Sequence, residues 1–155
     1  YRMNEIDKKI LKLLQRNANI SLSDLSKRVG ISSTPCWNRV KKMEENGIIR
    51  SKITVLNNEK INLSITVFLS ISVKSHQEEW FEQFKETLMK YDQIVEVYRL
   101  ASSTADYLLK IVAPSIDAYD HFQQKLIKEI EFTNTTSNIA LKEIKKNHYL
   151  PLDFI

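Results

Sequence analysis

The chain has 155 residues with a net charge of +4, and it contains one cysteine and two glycines. A single cysteine excludes an internal disulfide, as expected in a reducing compartment, and charges interrupt every apolar run, so neither a signal peptide nor a membrane span is predicted. The charge is uneven: residues 1–62 hold 13 Lys and Arg against 6 Asp and Glu, whereas residues 63–155 hold 10 against 13. This asymmetry is typical of a nucleic-acid-binding unit joined to a second domain.

Two helices are predicted first. Asn4 can cap a helix, with Asp7 three residues later as its capping partner. Apolar residues of this helix recur at helical spacing through Leu14. Its cations are interpreted as a solvated face rather than as phosphate contacts; they are Lys8, Lys9, Lys12 and Arg16. Ser21 begins a shorter helix, with Asp24 three residues later as in a capping box, and Gly30 ends it.

A third helix follows at once, with Ser32 as its N-cap, Pro35 in its first turn and Gly47 as its C′ residue. Cys36, Val40 and Met43 form an apolar stripe towards a core. The remaining surface offers hydroxyl, amide, indole and cationic groups, which can contact base edges and phosphates. The predicted DNA-binding residues are Ser32, Ser33, Thr34, Trp37, Asn38, Arg39, Lys41 and Lys42, with Arg39 and Lys42 at or near the DNA backbone. The alternative is an ordinary amphipathic surface helix.

A helix, a tight glycine turn and a capped second helix indicate a helix-turn-helix, with the later helix as the recognition helix. The β-branched segment from Ile48 to Val55 suits the strands of a wing. The sequence therefore predicts a winged helix-turn-helix domain over residues 1–56 and a polar linker over residues 57–63. A second domain is predicted over residues 64–155.

The second domain begins with clean alternation from Ser64 to Val73, which predicts a strand with a fully apolar face. A helix is predicted over 76–90, strands over 94–100 and 105–113, a helix capped by Ser115, and a last strand over 137–144. The order β-α-β-β-α-β predicts a ferredoxin-like βαββαβ domain, with two helices on one face of a four-stranded antiparallel sheet. The fold class of the whole chain is thus α+β.

The other face of this sheet is predicted to be apolar and aromatic. A soluble monomer would not leave so much apolar surface exposed, and the simplest cover is the same sheet of a second chain in a two-fold homodimer. The predicted dimer interface is Phe68, Tyr98, Leu100, Leu108 and Val112.

No catalytic constellation is present in the sequence. The three histidines share no ligand spacing, Cys36 has no local base, and two glycines cannot build a phosphate-binding loop. We therefore predict that the protein is not an enzyme and that it has no metal site and no cofactor. An enzyme built on the second domain is the weaker alternative.

Several segments carry a resemblance to a known family. The most specific is Thr34-Pro-Cys-Trp-Asn-Arg-Val40, and the others are 7–11, 21–30, 44–49, 106–109 and 140–145. With these the chain resembles the Lrp/AsnC, or feast/famine, transcription regulators. The resemblance implies a cytoplasmic regulator with a winged helix-turn-helix and a ferredoxin-like effector domain. It also implies dimers that can assemble to octamers, and control by a small molecule, often an amino acid.

By this resemblance, effector contacts fall in the turn between the second and third strands. The predicted effector-binding residues, which offer hydroxyls, amides and a carboxylate, are Ser102, Ser103, Thr104, Asp106, Thr135 and Ser137. The family usually has glycines where this chain has Asn62, Ser103 and Glu131. The alternative is a polar hairpin turn in which Asp106 bonds nearby amides. We therefore expect weak or altered effector use.

The sequence as a whole predicts a sequence-specific, double-stranded-DNA-binding transcription regulator that is at least dimeric, with an amino-acid effector as an option. The alternative is an effector-insensitive architectural DNA-binding protein.

Overall fold

The computed structural model describes residues 1–155, which form two compact units. The first unit comprises residues 1–55 together with 144–155, and the second comprises residues 56–143. None of the five α-helices is both long and apolar enough to cross a lipid bilayer.

The first unit contains α1 (Glu5–Arg16), α2 (Leu22–Val29) and α3 (Ser33–Glu45). The predicted Asn4 cap of α1 is confirmed as a full capping box: Asp7 N donates to Asn4 Oδ1 at 3.1 Å, and Asn4 N donates to Asp7 Oδ2 at 3.2 Å. At α2, the Ser21 hydroxyl accepts from Asp24 N at 3.0 Å.

The two glycines both end helices in the left-handed conformation, which was predicted for Gly47. Gly30 has φ +84° in the turn between α2 and α3, and Gly47 has φ +74° after α3. Gly47 N donates to Glu44 O and Ile48 N donates to Met43 O, which is the bond pair of a Schellman motif. Residues with a Cβ seldom adopt this φ, so glycine allows α2 and α3 to meet in a tight turn.

The predicted apolar stripe of α3 faces the core of the first unit. Cys36 and Met43 are fully buried there beside Ile10 of α1 and Leu25 of α2. Val40 packs against this cluster from its edge. The opposite side of α3 is therefore left at the surface.

The predicted wing strands do not form. No residue from 48 to 55 lies in a strand. Ile53 is 75% exposed and Val55 is 55% exposed. β-propensity mainly reflects packing against partner strands, and this segment pairs with no strand. Its β-branched composition alone does not establish a strand.

Residues 144–155, here called the tail, lie in the first unit instead of the predicted second domain. The tail runs along α1, where Leu150 exchanges two hydrogen bonds with Gln15, and Arg16 lies over the Tyr149 ring at 4.6 Å. Leu152 packs against the core of the first unit. The predicted linker also contains local structure, a 3₁₀ helix Asn58–Ile61 that ends at Asn62 with φ +59°.

The second unit has the predicted order of elements. These are β1 (Ile65–Val73), α4 (Glu78–Met89), β2 (Ile94–Arg99), β3 (Tyr107–Ala113), α5 (Ile116–Glu129) and β4 (Phe132–Ile139). The sheet is antiparallel with strand order β2-β3-β1-β4.

The last strand lies earlier than predicted, at Phe132–Ile139 instead of 137–144. Its sequence Phe-Thr-Asn-Thr-Thr-Ser-Asn-Ile is mostly polar, because β4 is an edge strand with little buried surface. Pairing with β1, from Val73↔Phe132 to Val67↔Ile139, sets its position. Apolar alternation could not show this.

The core of the second unit lies between one sheet face and the two helices. Val67, Leu69 and Ile71 of β1 are fully buried, and Phe84 of α4 and Leu126 of α5 pack over them. Because both helices pack on this face, the second sheet face has no helix over it.

Candidate DNA interface and effector site

Ser32 occupies the N-cap position of α3 with extended backbone angles, but its hydroxyl makes no capping bond. The predicted side-chain cap is therefore wrong. An N-cap hydroxyl usually accepts from the N–H of the second or third helical residue, and here the third is Pro35, which has no N–H. The exposed Ser32 hydroxyl thus remains at the surface.

The side of α3 opposite the buried stripe is here called the recognition face. Trp37 is 50% exposed, and Lys41 Nζ lies 5.5 Å from the centre of its ring. Lys41 also pairs with Glu44 at 3.4 Å. The exposed residues of this face are Ser33, Thr34, Trp37, Asn38 and Lys42, with Lys41 half-buried among them.

Arg39 lies at the flank of this face and has partners on α1. Its Nη1 donates to Asp7 Oδ1 at 3.2 Å and to Asn4 Oδ1 at 3.1 Å. The Asp7 side chain is 1% exposed and that of Arg39 is 30% exposed. Of the two residues predicted near the DNA backbone, Lys42 is exposed, whereas Arg39 is held against α1. The sequence indicated Asp7 only as a capping residue.

The cations of α1 are not simply a solvated face. Lys8 Nζ bonds Glu5 at 3.3 Å and the Ile155 carbonyl oxygen at 3.0 Å, and Arg16 lies over Tyr149. The tail therefore contacts two of the four α1 cations, Lys8 and Arg16. Lys9 and Lys12 remain exposed, as the interpretation of a solvated face predicts.

The predicted effector turn between β2 and β3 contains hydrogen bonds between its own residues. Ser102 Oγ lies 3.0 Å from Thr104 Oγ1 and accepts from Thr104 N at 3.2 Å. Ser102, Ser103 and Thr104 are all exposed. Two hydroxyls of the turn are thus already hydrogen-bonded.

Asp106 is bonded to β1. Its Oδ2 accepts from Val73 N at 2.9 Å, and its own N donates to Ile71 O at 2.8 Å. His76, which the sequence did not indicate, has Nε2 3.9 Å from Asp106 Oδ1. The carboxylate therefore bonds a nearby amide, as in the hairpin alternative, and one of its oxygens faces an imidazole.

The two predicted effector residues of β4 have different surroundings. Thr135 pairs with Ile71, the residue whose carbonyl accepts from Asp106 N, so Thr135 and Asp106 flank one residue of β1. The Ser137 hydroxyl instead lies 2.6 Å from the Tyr119 hydroxyl of α5 and accepts from Gln123 Nε2 at 3.2 Å. Thr135 therefore lies one strand away from Asp106, and Ser137 is bonded to α5.

The strand register puts four of the five predicted interface residues on the helix-free sheet face. Leu108 pairs with Ser70 and with Tyr98, and Phe68 pairs with Lys110. Val112, also on this face, is only 6% exposed within the single chain. Leu100 lies beyond the end of β2.

This face also carries a polar group of side chains. The Tyr98 hydroxyl donates to Glu96 at 2.7 Å, and Lys110 pairs with Glu96 at 3.2 Å. The hydrogen bond to Glu96 raises the pKa of Tyr98 above its usual value. The face is therefore less uniformly apolar than the sequence pattern predicts.

A cleft of about 640 Å³ lies between α4 and the end of α5, and its lining includes Trp80, Phe84, Lys90 and Glu129. None of the predicted effector residues lines it. The cleft and the β2–β3 turn are therefore separate features of the second unit.

A helix pair joined by a glycine turn, with a polar exposed second helix, followed by a βαββαβ sheet, defines a helix-turn-helix DNA-binding protein with a regulatory domain. Residues 3–50 match the winged helix-turn-helix DNA-binding family, and residues 66–150 match the Lrp/AsnC ligand binding domain. The chain belongs to the Lrp/AsnC family of transcription regulators.

Known proteins similar to the chain agree with this assignment. The glutamate uptake regulatory protein of Zymomonas mobilis is 35% identical over 97% of this chain and 92% of its own length. The crystal structure of an AsnC family transcriptional regulator from Agrobacterium tumefaciens is 43% identical over 99% of both chains, with a TM-score of 0.93. A Neisseria meningitidis transcriptional regulator in complex with L-Met is 30% identical over 99% of both chains, with a TM-score of 0.92.

Proposed function

We propose that this regulator binds operator DNA through the recognition face of α3. The observation that supports this proposal is that the apolar stripe of α3 is buried while its polar side is exposed. An α-helix fits the major groove, where hydroxyl and amide side chains distinguish base pairs. In this arrangement Thr34, Trp37 and Asn38 contact bases, Lys42 contacts phosphate, and the Ser32 hydroxyl binds phosphate at the helix N-terminus.

The proposed binding unit is a homodimer formed by the helix-free sheet face. Phe68 and Leu108 supply its partly buried apolar centre, and the Tyr98 side chain is 54% exposed on the same face. A two-fold dimer would present two recognition helices about 34 Å apart, matching one turn of DNA and a pseudo-palindromic operator. Further assembly to octamers is part of the proposal that rests on the family.

The proposed effector is an amino acid bound near the β2–β3 turn. The Neisseria relative was crystallised with L-Met, and this chain carries the same kind of ligand-binding domain. Asp106 could attract an ammonium group, but its Oδ2 is already engaged by Val73 N. We therefore infer weaker effector binding than an uncommitted carboxylate would give.

The hydrogen bonds within the β2–β3 turn also favour a second candidate function, that of an architectural protein that binds DNA without an effector. Under either proposal the protein acts in the cytoplasm, because its target is DNA, and its role is binding rather than catalysis.

A binding selection from random duplex DNA, with and without pooled amino acids, tests the proposed function. The expected result is an enriched pseudo-palindrome with half-sites about 10 bp apart and a modest change when amino acids are present. An unenriched library with tight salt-dependent binding would support the architectural alternative. Enrichment that is unaffected by Asn38→Ala would contradict the assigned recognition face.

A further inference from the structure

The Asp7 carboxylate is the one charged side chain that is fully buried in the protein. It lies in the first turn of α1, 32 residues from its charged partner Arg39 on the recognition helix. Arg39 Nη1 contacts Asp7 Oδ1 at 3.2 Å, and Asp7 Oδ2 accepts from the Tyr1 hydroxyl at 2.8 Å and from Asn4 N at 3.2 Å. Both carboxylate oxygens are therefore hydrogen-bonded.

Asn4 links this group of contacts to the start of α1. Its side chain caps α1 through Asp7 N and also accepts from Arg39 Nη1 at 3.1 Å. One guanidinium nitrogen of α3 is thus held by two oxygens whose positions are set by the first turn of α1. The capping box and the interhelical ion pair form one structure.

A buried ion pair seldom adds net stability over an apolar pair of similar size, because both charges lose their hydration. It does impose direction, since hydrogen bonds require a narrow range of distances and angles. The other contacts between these helices are apolar, made by residues such as Ile10, Cys36 and Met43, and apolar contacts are non-directional. Arg39 is also the immediate neighbour of Asn38 on α3.

We infer that Arg39 is a positioning residue for DNA recognition instead of a phosphate contact, and that its pair with Asp7 sets how α3 is rotated against α1. A change in that rotation would move Asn38 and Thr34 relative to base edges without removing any DNA-contacting group. The inference rests on the proposed role of the recognition face. It gives Arg39 a different role from the predicted contact with the DNA backbone, and it gives Asp7 a role beyond capping.

Asp7→Asn is the decisive variant. It keeps every side chain of the recognition face and the charge of Arg39, and it leaves an amide oxygen at position 7. If Arg39 positions α3, operator affinity falls about tenfold, the range of one lost base contact, while affinity for random DNA changes less than about twofold and the salt slope is unchanged. If Arg39 is a phosphate contact, releasing its guanidinium leaves operator affinity unchanged or raises affinity for both DNAs, and the inference fails.

Arg39 variants test the same point from the other side. Arg39→Lys keeps the charge but loses the planar guanidinium geometry, so positioning predicts a selective operator loss similar to that of Asp7→Asn. Arg39→Gln should lower operator affinity without flattening the salt slope, and adding Asp7→Asn to it should cost nothing further. A slope reduced by about one unit in Arg39→Gln, with rescue by Arg39→Lys, would overturn the inference.

Asp24→Asn is the matched control, because it makes the same charge change at an exposed position in the first turn of α2. It should alter operator and random DNA affinity by the same small factor. Circular dichroism and thermal melting establish that each variant is folded; if Asp7→Asn is not, the Arg39 pair of variants decides. Loss of operator binding in Asn38→Ala but not in Asp7→Asn would reject this inference while leaving the proposed function intact.

Discussion

The side-chain amide of Gln15 in α1 bonds the backbone of Leu150 in both directions. Gln15 Nε2 donates to Leu150 O at 3.1 Å, and Leu150 N donates to Gln15 Oε1 at 2.6 Å. The amide thereby satisfies both backbone groups of Leu150, as a neighbouring strand would. Together with Leu152, which packs on the core, this contact makes the tail part of the DNA-binding unit.

Gln15→Ala should release the tail from α1. Two hydrogen bonds are lost, each with a net value of about 1 kcal/mol, so the free energy of unfolding of the first unit should fall by about 1–2 kcal/mol. Amide hydrogen exchange over residues 144–155 should become faster. Gln124→Ala, at an exposed position of α5, serves as the control and should change neither quantity. Unchanged exchange in the tail of Gln15→Ala would show that this contact is not formed in solution.

Features governed by nearby residues were predictable from the sequence. The Asn4 cap, the left-handed Gly30 and Gly47, and the buried stripe through Cys36 each depend on residues within a few positions of one another. The Ser32 hydroxyl is the local exception. Pro35 makes an excellent first-turn residue, but it removes one N–H that the hydroxyl would cap. Two favourable local signals competed, and the pattern alone did not show the conflict.

Features that need a distant partner were not predictable. The tail lacks helical or strand periodicity, and its position depends on Gln15, 135 residues away in sequence from Leu150. The segment from Ile48 to Val55 has strand composition without a strand partner. In the candidate site, the sequence predicts Arg39 at or near the DNA backbone, and the structure holds it against α1. Its pairing with Asp7 could not be read from helical spacing, because two helices had to be packed first.

Asn38→Ala should weaken operator binding by about 1–3 kcal/mol and leave random DNA almost unchanged, because the side-chain amide is proposed to contact base edges. Competitive shift assays on operator and random duplexes measure both affinities. Lys42→Ala is the comparison within the same helix: a lost phosphate contact should weaken binding to both DNAs alike and reduce the salt slope by about one. Equal losses on both DNAs for Asn38→Ala would remove it from the base-contacting set.

Leu108→Asp should dissociate the proposed homodimer, because an unpaired carboxylate buried between two sheets loses its hydration without compensation. Sedimentation velocity at several protein concentrations should show a monomer, and operator affinity should fall because paired half-sites are no longer bound together. Met89→Asp is the control, since Met89 is 77% exposed at the end of α4. A Leu108→Asp protein that sediments as a stable dimer would place the interface on another surface.

Cys36 should react slowly with iodoacetamide in the folded protein. The side chain is fully buried in the first unit, and burial raises the pKa of its thiol, so less thiolate is present at neutral pH than for an exposed cysteine. Because reaction then requires local opening, alkylation should be roughly a hundredfold or more slower than in denaturant. Mass spectrometry over time measures both rates. Rapid labelling of the native protein would contradict the burial of the α3 stripe.

The effector proposal is tested by calorimetric titration of the twenty amino acids against the wild-type protein. The self-bonded turn at Ser102 and the engagement of Asp106 by Val73 N both compete with a ligand, so any binding should be weak. Asp106→Asn separates charge from structure: the amide oxygen can still accept from Val73 N, whereas the attraction for an ammonium group is lost. Asp92→Asn, an exposed acid in the loop before β2, is the control for net charge.

Weak binding of one amino acid that Asp106→Asn removes and Asp92→Asn preserves would place its ammonium group at Asp106. Sub-micromolar binding abolished by Asp106→Asn would show that the carboxylate exchanges its Val73 bond readily and that the expectation of weak binding is wrong. If none of the twenty binds, the β2–β3 turn is a structural hairpin in which Asp106 holds the start of β3 against the end of β1. The architectural alternative would then account for the DNA-binding unit without a regulatory ligand.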